Sequence, residues 1–89
     1  MSFGAFIRER RVSKGMTLFD VAAEAQISVP YLSRIERERE NVPKDDLIRR
    51  LAATLDIPED EGFAAARRLP PDLRNEAKEV FAVYRRMSR

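Results

Sequence analysis

The sequence predicts an all-α fold: five helices built around a helix-turn-helix, with an additional helix at the C-terminal end. Three observations lead there. Apolar residues recur at spacings of three and four along most of the chain, the period of helix faces and not of strands. Gly15, Pro43, Pro58 and the pair Pro70-Pro71 fall at the joints between those runs. The segment Thr17–Ile35, TLFDVAAEAQISVPYLSRI, holds two short amphipathic runs joined by a turn too tight for anything but a crossed helix pair.

The first helix carries Phe3, Phe6 and Ile7 on one face and stops at Gly15, as a helix C-terminus favours. Val21, Ala22 and Ala25 form the apolar face of the second helix, and Leu32 and Ile35 that of the third. Ile27 plugs the corner between them. Ala22 sits where the third helix crosses closest, so a larger side chain there pushes the pair apart. Thr17 and Ser28 precede these two runs, and each can cap the orphan N–H groups of its helix. The third helix ends near Arg37, and ERERENVP is polar, closes on Pro43 and reads as a loop. Leu47, Ile48, Leu51, Ala52 and Leu55 make a strongly amphipathic fourth helix, stopped by Asp56-Ile57-Pro58. Residues 59–68, EDEGFAAARR, start acidic and end basic, the polarity that complements a helix macrodipole, while Gly62 weakens this fifth helix.

Pro70-Pro71 breaks the chain again, and Asp72 opens a last helix. Along it Leu73, Ala77, Val80, Tyr84 and Met87 fall at alternating spacings of four and three, the seam of a helix that packs lengthwise on a partner. Phe81 and Val83 widen that surface. Two units are therefore expected: a helix-turn-helix domain over residues 1–69 and a helix over 70–89 for dimerisation or partner binding. Its apolar seam suits a second copy in a homodimer, a fold-back onto its own domain, or a different protein.

With 89 residues, the chain can bury a modest core but not build a deep catalytic cleft. It holds no Cys and no His, which excludes disulfides and thiolate metal sites and removes the commonest general base. No metal and no cofactor is expected, and the carboxylates, Lys, Arg and Tyr read as surface faces instead of an enzyme's pocket. No apolar run reaches membrane-spanning length and no signal-peptide pattern opens the chain, so a cytoplasmic protein is expected. The net charge is only +2, from 17 Lys and Arg against 15 Asp and Glu, so distribution matters more than the total. Arg8, Arg10, Arg11 and Lys14 cluster in the first helix, and Arg34, Arg37 and Arg39 in and after the third. Alone this is a solvated surface; beside a helix-turn-helix it points to double-stranded DNA.

From about Phe6 to Leu55 the chain resembles the lambda repressor/Cro-like domains of the XRE family of bacterial and phage regulators. IRERRVSKGMT is similar to that family's first helix and the lead into its second. DVAAEAQIS is similar to the second helix and turn, ISVPYLSRIERE to the recognition helix, and LIRRLAATLDIP to the fourth helix. The resemblance implies a lambda repressor-like fold and a cytoplasmic, nucleoid-associated regulator. It also implies a partly buried ion pair between Arg11 and Glu36 that locks the recognition helix in orientation.

By position in such a helix, Val29, Pro30, Ser33 and Arg34 face the bases. Arg34 is the most informative, because a guanidinium can bond both O6 and N7 of guanine. Ser33 discriminates less, and Val29 and Pro30 can only touch thymine methyls or exclude bulk. Phosphate contacts fall to Thr17, Ser28, Tyr31, Arg37, Arg39 and Lys44, which flank the groove.

Three features depart from the family pattern. Leu18 stands where many members have a phosphate-bonding Gln. Gln26 stands at the turn position that usually holds Gly, so it must enter the left-handed region at a cost of roughly 1–2 kcal/mol. Glu38, Glu40, Asp45 and Asp46 interleave with the basic residues; they weaken DNA binding if they face it, and are solvated or pair with neighbouring Arg if they point away. The leading expectation is a repressor that binds an inverted-repeat operator as a homodimer. The alternative is an antitoxin or anti-regulator whose last helix, through Leu73, Ala77, Val80, Phe81, Tyr84 and Met87, masks a partner such as a toxin.

Overall fold

A computed structural model describes residues 2–68, so the expected helix over 70–89 and its interface residues lie outside the described part. The described chain forms five helices: α1 (Phe3–Ser13), α2 (Leu18–Ala25), α3 (Val29–Glu36), α4 (Asp45–Thr54) and α5 (Glu59–Ala65). Among the described residues no helix is long and apolar enough to cross a membrane.

Capping fixes the starts of the first three helices. The Ser2 hydroxyl accepts the Ala5 N–H, and the Ser28 hydroxyl accepts that of Tyr31. Thr17 and Asp20 form a reciprocal box, each side chain accepting the other's backbone N–H. Pro30 sits in the first turn of α3, where its missing N–H leaves no helical bond unmade.

One device ends all five helices. A left-handed residue follows each of them, at Gly15, Gln26, Glu38, Asp56 and Arg67. The next N–H then reaches five residues back: Met16 to Arg11, Ile27 to Ala22, Arg39 to Arg34, Ile57 to Ala52 and Arg68 to Phe63, at 2.8–3.1 Å. Only the first of these positions is glycine. The others accept a backbone conformation in which Cβ crowds the following carbonyl.

The core joins every helix. Phe3 and Ile7 of α1, Val21, Ala22 and Ala25 of α2, and Leu32 and Ile35 of α3 meet Leu47, Ile48, Leu51 and Ala52 of α4. Phe63 of α5 is wholly buried, and Ile27 lies half-buried against the same cluster. α3 packs on α1 and α2, while α4 bridges α2 and α5. At Gly4 two backbones approach closely: a Cβ built there would lie 2.2 Å from the Ile35 carbonyl oxygen and 2.9 Å from that of Glu36. Glycine at position 4 thus lets the start of α1 sit directly on the end of α3.

Two expectations are corrected. α5 stops at Ala65, so its basic residues do not complement its dipole from the last turn. Arg68 instead turns away and donates to the carbonyls of Pro43 (2.5 Å) and Val42 (3.2 Å), tying the α3–α4 loop to the end of α5. The basic cluster of α1 also divides between two faces. Arg10 pairs with Glu61 and lies over the Phe6 ring, and Lys14 pairs with Asp56, so both serve contacts toward α4 and α5. Only Arg8 and Arg11 turn toward α2 and α3.

Candidate nucleic-acid interface

Between α1, α2 and α3 lies an open cleft lined by Arg8, Arg11, Leu18, Ser33, Glu36 and Arg37. Three cations and one carboxylate make it basic. At its floor Arg11 grips Glu36 with two bonds, Nε to Oε2 at 2.8 Å and Nη2 to Oε1 at 3.0 Å. A third bond runs from Arg11 Nη1 to the Met16 carbonyl at 3.0 Å. Only 13% of the Arg11 side chain and 5% of the Glu36 side chain reach solvent. The hydrogen bond to Glu36 raises the Arg11 pKa above its ordinary value; partial burial opposes this, and the charge of Glu36 adds to it. This planar fork ties the last turn of α3 to α1 and to the start of the α1–α2 turn, which sets the tilt of α3.

On the outward side of α3, Pro30 and Arg34 are exposed and Ser33 is half-exposed at the cleft edge. Val29 is less available, because it packs partly against the core. Arg34 donates from Nε to Glu40 Oε2 at 2.9 Å, and its guanidinium lies 5.9 Å from the centre of the Tyr31 ring. Tyr31 is half-buried and lines a shallow apolar groove with Ile27, Lys44 and Leu47.

The two helix starts differ as anion sites. At α3 no acidic residue occupies the first turn, and the Ser28 hydroxyl, already accepting one N–H, keeps its own proton to donate. At α2 the exposed Asp20 carboxylate completes the Thr17 box, so a negative charge already occupies that end, and Leu18 offers no polar group. Thr17 therefore has an anionic neighbour that Ser28 lacks. Arg37 and Arg39 are exposed just past α3, and Lys44 is exposed just before α4.

Acidic residues near this surface are largely engaged. Glu40 holds Arg34, Asp46 lies 3.1 Å from Arg50, and Asp45 lies 3.6 Å from Arg68. Two residues that shape the surface, Arg50 and Arg68, carry no signal in the sequence, whereas Glu40 pairs with a neighbouring Arg, one of the alternatives its position left open. Arg50 Nη1 donates to the Ala25 carbonyl at 2.7 Å and braces the helix-turn-helix corner from α4. Arg68 holds the loop that carries Arg39 and Lys44, and Glu40 holds Arg34. Arg8 could have been found, since it lies three residues before Arg11 and so shares its face.

Comparison with known proteins agrees with this architecture. A family model described as a helix-turn-helix domain matches residues 2–66. The chain is 49% identical over 51 residues to the HTH-type transcriptional regulator DdrOP3 of Deinococcus deserti, covering 57% of this chain and 39% of that protein. It is 32% identical over 85 residues to the HTH-type transcriptional regulator RghRB of Bacillus subtilis, covering 92% of this chain and 61% of that one. The chain thus spans between 39% and 61% of the length of these curated relatives. Among solved structures it is similar to the restriction-modification controller protein C.AhdI from Aeromonas hydrophila. The TM-score is 0.63 at 34% identity, over 68% of this chain and 91% of that one. By motif, helix order and family match, the chain belongs to the helix-turn-helix domain family, in its XRE, lambda repressor-like form.

Proposed function

We propose that the chain reads double-stranded DNA as part of a transcriptional regulator, acting as a repressor that binds an inverted-repeat operator as a homodimer. One observation carries the reading: the exposed side of α3, with Pro30 and Arg34, adjoins a net-basic cleft bounded by Arg8 and Arg37. In it α3 enters the major groove, Arg34 forks a guanine, and Ser33 adds a weaker contact to a base or phosphate. Val29 and Pro30 shape the apolar edge toward thymine methyls. Ser28, Arg37, Arg39 and Lys44 take phosphates on either side, Tyr31 lays its ring at the sugar-phosphate edge, and Thr17 contributes least because Asp20 is its neighbour. Residues Leu73, Ala77, Val80, Phe81, Tyr84 and Met87 join the two copies, so that half-sites lie roughly one helical turn apart. Repression by covering a promoter needs no further chemistry.

Selection of bound duplexes from a random pool at low salt tests this. An inverted repeat containing guanine should be enriched, with affinity that falls steeply as salt rises. Arg34→Ala should weaken the selected site by about 1–3 kcal/mol and erase one guanine preference per half-site. A pool with no enriched sequence refutes the reading.

A further inference from the structure

Arg34 is held by two contacts from its own chain. Its Nε donates to Glu40 at 2.9 Å and its guanidinium carbon lies 5.9 Å from the centre of the Tyr31 ring. Glu40 reaches this place because Glu38 turns left-handed at φ 61° and the Arg39 N–H closes back on the Arg34 carbonyl. That turn folds the chain beside the last turn of α3. The contact uses only the Nε edge of the guanidinium. Neither Nη of Arg34 has a protein partner among the described residues, and those two nitrogens make an end-on fork to O6 and N7 of guanine.

We propose that Glu40 is a specificity-determining positioning residue, holding Arg34 by Nε so that both Nη groups face the bases. This rests on the reading of Arg34 as the guanine-binding side chain. An arginine loses much rotamer freedom when it docks, and holding it beforehand on a carboxylate and an aromatic face lowers that cost. The carboxylate acts a second way. It repels phosphate, so it disfavours a swing of Arg34 onto the backbone, the contact that serves every sequence alike. Glu40 therefore strengthens the correct site and weakens incorrect ones.

The test compares E40A, E40Q and R34A on the duplex selected by the wild-type chain, on the same duplex with the guanine replaced, and on random duplex. E40A should lower the guanine preference about fivefold, the scale of one exposed ion pair, and bind random duplex at least as tightly as wild type. E40Q, which keeps an acceptor oxygen for Nε, should retain most of the preference while binding random duplex more tightly. Thermal midpoints should not move, because Arg34 and Glu40 are both exposed. If R34A loses the preference and E40A keeps or strengthens it, Glu40 merely competes with DNA for Arg34 and the proposal is overturned. An E40Q as defective as E40A also overturns it. If R34A itself keeps the preference, the assignment of Arg34 fails, and the role of Glu40 falls with it.

Discussion

Removing Arg11 should cost this domain more than neutralising its partner, and the geometry sets the asymmetry. Glu36 is 5% exposed and receives two bonds from Arg11, which itself is 13% exposed and keeps a third bond to the Met16 carbonyl. Arg11→Met preserves the aliphatic stem but leaves a nearly buried carboxylate without its cation. Breaking such a pair costs about 3–5 kcal/mol. Arg8 and Arg37 border the same cleft and soften the loss, so the lower end, about 3 kcal/mol, is expected. Glu36→Gln keeps an acceptor oxygen and leaves Arg11 its carbonyl, so about 1–2 kcal/mol is expected. In the double variant no charge is stranded, and its cost should fall short of the sum by at least about 1 kcal/mol. Against a total stability of about 5–10 kcal/mol these differences are large and readable from urea denaturation followed by circular dichroism. The pH dependence follows from the raised pKa of Arg11. Its contribution is complete below the unfolded-state pKa and is lost only as pH rises through the still higher folded value. The coupling should therefore be the same between about pH 7 and 9. A Glu36→Gln cost larger than that of Arg11→Met, or strict additivity, would refute the account of this pair as a lock.

Three further substitutions probe the backbone. Gly4→Ala drives a methyl to 2.2 Å from the Ile35 carbonyl, so the α1–α3 contact must open, with an expected loss of about 3 kcal/mol or failure to fold; a melting temperature within a few degrees of wild type, about 4 °C, would contradict the packing. Gly62→Ala should do the reverse. Its Cβ meets Ala52 and Ile48 at an ordinary 3.5 and 3.6 Å, so a gain of about 0.5–1 kcal/mol is expected in chemical denaturation. Gln26→Gly relieves a left-handed residue at φ 60°, and after the entropy of the unfolded glycine a net gain of about 0.5–1 kcal/mol should appear as a higher melting temperature.

Much of the fold is legible in the sequence, because it is local. The buried face Val21, Ala22 and Ala25, the caps at Thr17 and Ser28, and the left-handed turn at Gln26 each depend on residues within one or two turns. The surface is less legible. Arg10 and Lys14 look like part of one basic cluster with Arg8 and Arg11, yet their partners, Glu61 and Asp56, come from distant segments. Val29 occupies a position that faces outward in a helical projection, but it packs partly against the core. Arg50 and Arg68 act on carbonyls at least 25 residues away, and no spacing announces such a contact. Even the Arg11–Glu36 pair, also 25 residues apart, is suggested by family resemblance and not by any periodicity.

The shared form of the five helix endings bears on how quickly the chain finds its fold. Each ending is closed by a backbone bond spanning five residues, such as Ile27 to Ala22 and Ile57 to Ala52. These bonds ask for almost no loop closure, so the direction in which the chain leaves a helix is set within that helix's own neighbourhood. A domain whose corners are decided locally has low contact order, and such helical domains fold in microseconds to milliseconds. The corners built on Gln26, Glu38, Asp56 and Arg67 each enter a left-handed turn without glycine, so substitutions there act on local steps of that process. Speed of folding, as well as stability, is left open to adjustment at those four positions.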